Sequence, residues 1–274
     1  MRLRRRCAGA RPGDDRGRRP DLRDFTGRHG RRPGRQGGRR PGGPAGGCSL
    51  TLKGVCFDLY STLVHENGNN PFYTEVAQAL GLELDRWMPV YRRRHRETMA
   101  GVISGMVERV LLSARDAGVH CERRTVESVV DRCMPGFIDS IHVDPQAGAL
   151  LGHLCEEGYS LALVTNASDH SEGIFDHLGL REYFDVTVFS YRVGYLKPDP
   201  RIYRCALDGL GLPAALCGYV GDGGDQELWG ARAAGFTTIL VDRDLPHSGS
   251  ARADADLVAA DLTGVGHLLD SLAA

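Results

Sequence analysis

The sequence predicts an α/β protein in which a parallel sheet is covered by helices on both faces and interrupted early by a block made of helices alone. Three observations predict it. Short apolar runs recur along the chain, helical periodicity fills the stretches between them, and from about Pro71 to Ser140 only the helical period is found. Near-continuous apolar runs are what strands need when helices cover both sides of their sheet.

Taken in order, Gly54-Val55-Cys56-Phe57 reads as a fully buried strand that ends at Asp58. The helical block follows, with Val76, Leu80 and Leu84, then Val107, Val110 and Leu111 at helical spacing, and with Gly81, Gly101 and Gly118 as punctuation. Alternation then resumes. Ser160 to Val164 is a strand and Ser171 to Leu178 a helix; Val186 to Phe189 is a strand and Pro200 to Leu210 a helix. Gly218 to Val220, Thr237 to Val241 and a short Ala255 to Val258 complete the strands, with a helix over Gln226 to Ala234. Such an order gives a Rossmann-like core of residues 51–67 and 143–274, a helical domain of residues 68–142, and an N-terminal extension of residues 1–50.

The extension is almost entirely Arg, Gly, Pro, Asp and Ala, and is expected to be disordered because it has too little apolar surface to offset its ordering entropy. It holds 15 arginines against four aspartates, leaving 19 basic and 31 acidic residues for the rest of the chain. Its arginines lack interleaved aromatic platforms, and an acidic body repels a phosphate backbone, so no nucleic-acid role is expected. No apolar run approaches the roughly 20 residues of a spanning helix, and no apolar signal segment begins the chain. A cytoplasmic protein without a membrane role is the expectation. The eight cysteines are scattered with no C-x-x-C pair, and read as buried thiols rather than zinc ligands.

Ligands of parallel sheets bind beyond the strands' carboxyl ends, and Asp58, Thr165, Asn166, Lys197 and Asp222 all follow strand ends. Each is weak alone. An Asp after a strand is usually a cap or turn former, Thr165 is as good a cap, and Lys197 before Pro198 reads equally as a solvated charge. Asp222 and Asp225, in Gly221-Asp222-Gly223-Gly224-Asp225, would build a tight turn. Their order on successive strands makes them a set that should converge on one rim.

Four stretches carry a resemblance. Phe57-Asp58-Leu59-Tyr60-Ser61-Thr62-Leu63, Leu163-Val164-Thr165-Asn166, Lys197-Pro198-Asp199-Pro200-Arg201-Ile202-Tyr203 and the run from Val220 to Ala231 resemble the four motifs of the haloacid dehalogenase-like superfamily, over about residues 52–245. The helical block sits where that superfamily carries an all-helical cap. The resemblance implies a hydrolase in which Asp58 attacks phosphorus in line, forming an acyl-phosphate that water later hydrolyses. It implies Mg²⁺ held by Asp58, the Tyr60 carbonyl and Asp222, an oxygen set that suits that ion. Glu227 is the expected second acidic residue, orienting a metal-bound water or Lys197, with Asp225 competing for that role. Thr165 and Lys197 would stabilise the transferring group, with Thr62 and Asn166 beside the substrate.

The pattern breaks at Tyr60, where phosphatases of this superfamily have a second aspartate as general acid and base. A phenol, with an ordinary pKa near ~10, is a poor substitute at neutral pH, and His65 is the nearest replacement. A tyrosine there also resembles the haloacid dehalogenases, whose halide leaves without a proton and whose carboxylate needs no metal. Against that alternative stands the acidity of Asp222, Asp225 and Glu227, which without a cation would blunt the nucleophile. A third alternative is an impaired relative that binds but does not turn over. Within the helical block, Arg92 and Arg96 in Tyr91-Arg92-Arg93-Arg94-His95-Arg96-Glu97 are candidates to reach an anionic substrate, against the reading of that run as a solvated face. Asn67, Asn69 and Asn70 mark a hinge. The expected substrate is a small phosphorylated metabolite.

Overall fold

Val55 and Phe57 point to one face of the first strand and Cys56 to the other, and all three are buried, so helices must cover both faces. In the computed structural model, residues 51–67 and 70–273 are described; the extension of residues 1–50 and Asn69 of the expected hinge lie outside them. Six strands form one parallel sheet: β1 (Gly54–Phe57), β4 (Ser160–Thr165), β5 (Val186–Phe189), β6 (Cys217–Gly221), β7 (Thr237–Val241) and β8 (Leu257–Ala259), in the order β5-β4-β1-β6-β7-β8. The chain winds outward from β1 on one side and then on the other. The connections therefore diverge beside β1, and a crevice opens at its carboxyl end.

The alternation in β1 repeats in its neighbours. Leu161, Leu163, Val220, Ile239 and Val241 join Val55 and Phe57 in one apolar cluster; Ala162, Val164, Tyr219 and Leu240 join Cys56 in another. The first is covered by α6 (Ala147–Glu156), α7 (Asp169–His177) and α12 (Leu262–Ala273), through Leu151, Leu154, Phe175 and Leu269. The second is covered by α9 (Pro200–Leu210) and α10 (Glu227–Ala233), through Ile202, Tyr203, Leu228 and Ala231. Truncating one such large side chain costs about 3 to 5 kcal/mol. The start of α9 is fixed locally: the Asp199 carboxylate accepts from the Arg201 amide at 2.9 Å, and Pro200 occupies the first turn. Two short helices, α8 (Ser190–Val193) and α11 (Ser248–Asp254), complete the core.

After β1 the chain forms β2 (Val64–Glu66), which pairs antiparallel with β3 (Ile141–Val143), His65 opposite His142. Between them lie five helices: α1 (Phe72–Ala79), α2 (Leu84–Arg93), α3 (His95–Met99), α4 (Met106–Asp116) and α5 (Arg123–Asp139). The sequence shows the helices but not this ribbon, because three residues are too few to display a period of two. The insert has its own buried contacts, among them Phe72, Trp87, Tyr91, Val110 and Val126, and the Trp87 indole donates to the Ser113 hydroxyl at 2.7 Å.

It meets the core a second time away from the ribbon. The Ser190 hydroxyl donates to the Met99 carbonyl at 2.7 Å. Next to it, Gly101 has φ +72° and a Cβ there would stand 2.2 Å from the Tyr191 carbonyl oxygen, so only glycine fits. No helix among the described residues is long and apolar enough to cross a membrane.

Candidate active site

Strand ends deliver the polar residues to one rim. Asp58 follows β1, Thr165 ends β4 and Asp222 follows β6, while Lys197 comes from the loop between α8 and α9. The Lys197 ammonium donates to Asp58 Oδ1 and Glu227 Oε2, both at 2.6 Å, although 139 residues separate lysine and aspartate. Lys197 is 3% exposed, Asp58 7%, Asp222 6% and Glu227 wholly buried.

Three carboxylates and one ammonium leave this cluster with an excess of negative charge. Oxygens of Asp58, Asp222 and Glu227 lie within 4.8 Å of one another. At an effective dielectric constant of about 20, like charges that close repel by roughly 3 kcal/mol per pair. The consequence is visible at Asp58, whose carboxyl is pushed up to about 7, by burial first and the Glu227 charge second, with Lys197 opposing. Burial also raises Glu227. For Lys197 burial pulls the other way, but Asp58 and Glu227 outweigh it and hold the ammonium charged.

The chemistry of this donor set fits a hard cation. It is oxygen-only, buried and over-charged, and one divalent ion would restore Asp58 to its ionised form. The three carboxylates are not equal in this respect. Glu227 already accepts from Lys197, from the Tyr219 hydroxyl at 2.9 Å and from the Gly223 amide at 2.9 Å. Asp222 accepts the Gly224 amide at 3.0 Å on one oxygen and faces His247 Nε2 at 3.1 Å on the other. Glu227 therefore reads first as the residue that orients Lys197, and Asp58 and Asp222 as the pair with free acceptor capacity. A Cβ at Gly221 would lie 2.1 Å from Glu227 Oε1, so the motif's first glycine makes room for that carboxylate. Asp225, the competing candidate, accepts from Asn166 Nδ2 at 2.7 Å, and among the described residues the lysine ammonium bonds Asp58 and Glu227 instead.

Asn166 itself clamps a loop. Its Oδ1 accepts from the Lys197 amide at 2.8 Å while its Nδ2 reaches Asp225, so it ties the lysine loop to the loop after β6. The Thr165 hydroxyl is buried without a hydrogen-bond partner among the described residues, and Thr165 lines the cavity. An orphaned buried hydroxyl costs about 1 to 3 kcal/mol unless a ligand completes it. The Thr62 hydroxyl is equally orphaned but does not line the cavity; its backbone carbonyl accepts from Arg243 at 3.2 Å.

Tyr60 lines the cavity, and burial pushes its hydroxyl up to about 12, which leaves it unsuited to giving up a proton near neutrality. Among the described residues the turn's backbone bonds accept at Leu59 and Val64, and none at the Tyr60 carbonyl. His65 also lines the cavity but is held at 2.9 Å from Asp144 Oδ2.

The cavity, about 710 Å³, lies between this rim and the insert. Arg92 and Arg96 are exposed and outside its lining, so the basic run does not bring them to the rim. The buried Tyr91 and Met99 and the exposed His95 line it instead. Two lining residues that the sequence reading missed are His247, in the loop after β7, and Arg109, on the buried face of α4. The first follows a strand end; the second is a charge at apolar helical spacing. Both signals were present and unspecific.

Comparison with known proteins gives the geometry its context. The family described as haloacid dehalogenase-like hydrolase matches residues 52–235. The phosphoserine phosphatase of Thermus thermophilus is 37% identical over 102 residues, 37% of this chain and 41% of that one. Haloacid dehalogenase-like hydrolase domain-containing protein 3 of Homo sapiens is 35% identical over 210 residues, 70% of this chain and 82% of that one. The matched stretch spans about two-fifths of the length of the first curated relatives. A solved HAD phosphatase from Thermococcus onnurineus shares the fold, with a TM-score of 0.60 over 80% of this chain and 98% of that one at 21% identity. Haloacid dehalogenases also occur among the relatives and the similar structures.

Proposed function

The chain belongs to the haloacid dehalogenase-like hydrolases, and from that membership and the rim's own charges we propose that it hydrolyses a small phosphomonoester with Mg²⁺ through an aspartyl-phosphate on Asp58. One observation carries the reading: a single buried ammonium bridges the nucleophile and Glu227 at 2.6 Å, with Asp222 packed beside them. A carbon-centred hydrolysis that uses no metal has no need of that third carboxylate, which only makes Asp58 harder to ionise.

Asp58 forms the new bond to phosphorus as the bond from phosphorus to the ester oxygen breaks, and water then cleaves the acyl-phosphate to release phosphate and the free carboxylate. Lys197 holds Oδ1 of Asp58 and offsets charge on the transferring group; the Thr165 hydroxyl donates to one of that group's oxygens. Asp58 and Asp222 would hold the Mg²⁺ together with the Tyr60 carbonyl, and the ion would supply the missing positive charge. The insert acts as a cap of residues 68–142 over this rim, and shelters the acyl-phosphate from bulk water.

Tyr60 shapes the reactivity. With no group of matched pKa at that position, the departing oxygen leaves largely without a proton, so esters of acidic alcohols are the better substrates. Phosphate release from small esters, with and without Mg²⁺, tests the reading. Asp58→Asn abolishes release, and Tyr60→Asp raises it about 10-fold or more for alkyl esters while changing aryl esters less. Halide release from chloropropionate without added metal would instead establish the dehalogenase.

A further inference from the structure

The rim of the cavity is crowded with carboxylates, yet the opposite wall holds a buried cation that meets none of them. Arg109 sits on α4 among Met106, Val110 and Ser113, is 5% exposed, and lines the cavity. Its guanidinium lies over the Tyr91 ring, 3.8 Å from the centroid. Its Nη2 and Nε both donate to one acceptor, the Tyr91 carbonyl, at 3.1 and 3.4 Å. A guanidinium has five N–H donors, so a planar edge of the fork is left over.

Among the described residues no carboxylate pairs with it. Glu66 shares the cavity wall but accepts from Asn70 at 2.7 Å. Burial lowers the guanidinium's proton affinity, and the neighbouring Tyr91 and Tyr73 only partly compensate. An arginine stays charged regardless, and a buried charge without a counter-ion is costly. An anion received in the cavity would supply that counter-ion and complete the free donors.

We propose that Arg109 anchors a second anion subsite, and hence that the substrate is a small phosphomonoester carrying a further anionic group, a carboxylate or a second phosphate. The proposal rests on the phosphomonoesterase reading of Asp58. Both groups present two coplanar oxygens to the guanidinium fork. Tyr73, Tyr91, Met106, His95 and Glu66 line the cavity with it, and among the insert's described lining residues Arg109 is the one fixed positive charge that can grip the ligand's far end. A neutral alcohol phosphate leaves that charge unanswered and binds worse.

Two substrate pairs test this. Phosphoserine and phosphoethanolamine differ only in a carboxylate; glycerol bisphosphate and glycerol monophosphate differ only in a phosphate. The wild type favours the more anionic member of one pair by roughly 30-fold or more in kcat/KM. Arg109→Gln brings that ratio near one, and Arg109→Lys retains part of it. Because a ratio on one enzyme sample is insensitive to the folded fraction, poor folding of a variant does not mimic the result. The pair that responds identifies the anion. No preference in the wild type, or a ratio that survives Arg109→Gln, overturns the subsite. If no ester releases phosphate with Mg²⁺, the hydrolytic reading fails by itself; the subsite is then decided by thermal protection. Stronger protection by phosphoserine than by phosphoethanolamine, or by the bisphosphate than by the monophosphate, that is lost in Arg109→Gln supports it, and equal protection within both pairs overturns it.

Discussion

The two walls of the cavity are built on opposite plans. On the rim, Lys197 answers Asp58 and Glu227, Asn166 answers Asp225, and backbone amides answer Asp222 and Glu227, so the charged groups are already fixed, while the Thr165 hydroxyl is left without a partner among the described residues. On the insert wall, tyrosine rings and methionines accompany one guanidinium whose acceptor among the described residues is a single carbonyl. Groups that perform chemistry are held by one another before any ligand arrives; groups that recognise the ligand are left incomplete so that it can complete them. The difference is one of preorganisation, and it sets how each wall should respond to damage.

The largest effect is expected where the rim's mutual pairing is broken. Lys197→Ala leaves Asp58 and Glu227 buried and facing each other without a cation between them. Turnover should fall about 10³-fold, and stability by about 3 kcal/mol, the usual cost of removing one partner from a buried pair. Initial rates on an aryl phosphate and urea unfolding measure the two. A loss below tenfold would mean that the rim is not a unit, and the contrast between the walls would lose its first half.

A smaller effect is expected where the insert rests on the core. At Gly101 a methyl group would collide with the Tyr191 carbonyl and occupy a left-handed backbone. Gly101→Ala should cost about 2 kcal/mol and displace the Met99 carbonyl from Ser190. Since the rim is untouched, KM should rise several-fold while kcat changes little; an equal fall in kcat would show that the insert helps to hold the chemistry itself. Steady-state kinetics with an anionic ester gives the split.

The contrast also explains what was legible in the sequence. Parallel strands carry their functional residues at their ends, where a short apolar run announces them, so Asp58, Thr165 and Asp222 could be named and placed on one rim. The helical phase of α2 and α3 was harder. Four arginines within Arg92–Arg96 advertise charge, but the 3.6-residue period turns Tyr91 and His95 to the cavity and leaves Arg92 and Arg96 in solvent. Arg109 was hidden for the converse reason, since one arginine among valines and leucines does not stand out until the opposing wall is known. Asp225 and Glu227 could not be ranked, because the ranking depends on two residues with positive φ, Asp225 and Gln226, that swing one carboxylate toward Asn166 and the other beneath Lys197.

The smallest effect tests the joint between the walls. Asp144 follows β3, where the chain returns from the insert, and its carboxylate collects His65 at 2.9 Å, Arg243 at 2.7 Å and the Gln146 amide at 2.9 Å. Arg243, from the loop after β7, also donates to the Thr62 carbonyl, so one guanidinium ties both stems of the insert to the core. Burial works to raise the Asp144 carboxyl, but the donors from His65, Gln146 and Arg243 outweigh it and hold it below the usual carboxylate range. A carboxyl lowered in the folded state stabilises the fold above its unfolded value, and that contribution disappears as pH falls through the folded value. Asp144→Asn should therefore cost about 2 kcal/mol at neutral pH. The gap from wild type should hold down to about pH 5 and close below about pH 4, as the wild-type carboxylate takes up its proton. Urea unfolding at a series of pH values gives the gap, and amide exchange across β2 and β3 shows whether the loss is local. A gap that widens toward acid would reverse the sign of the linkage, and would mean that Asp144 is held as a neutral acid and that the stems are tied by something else.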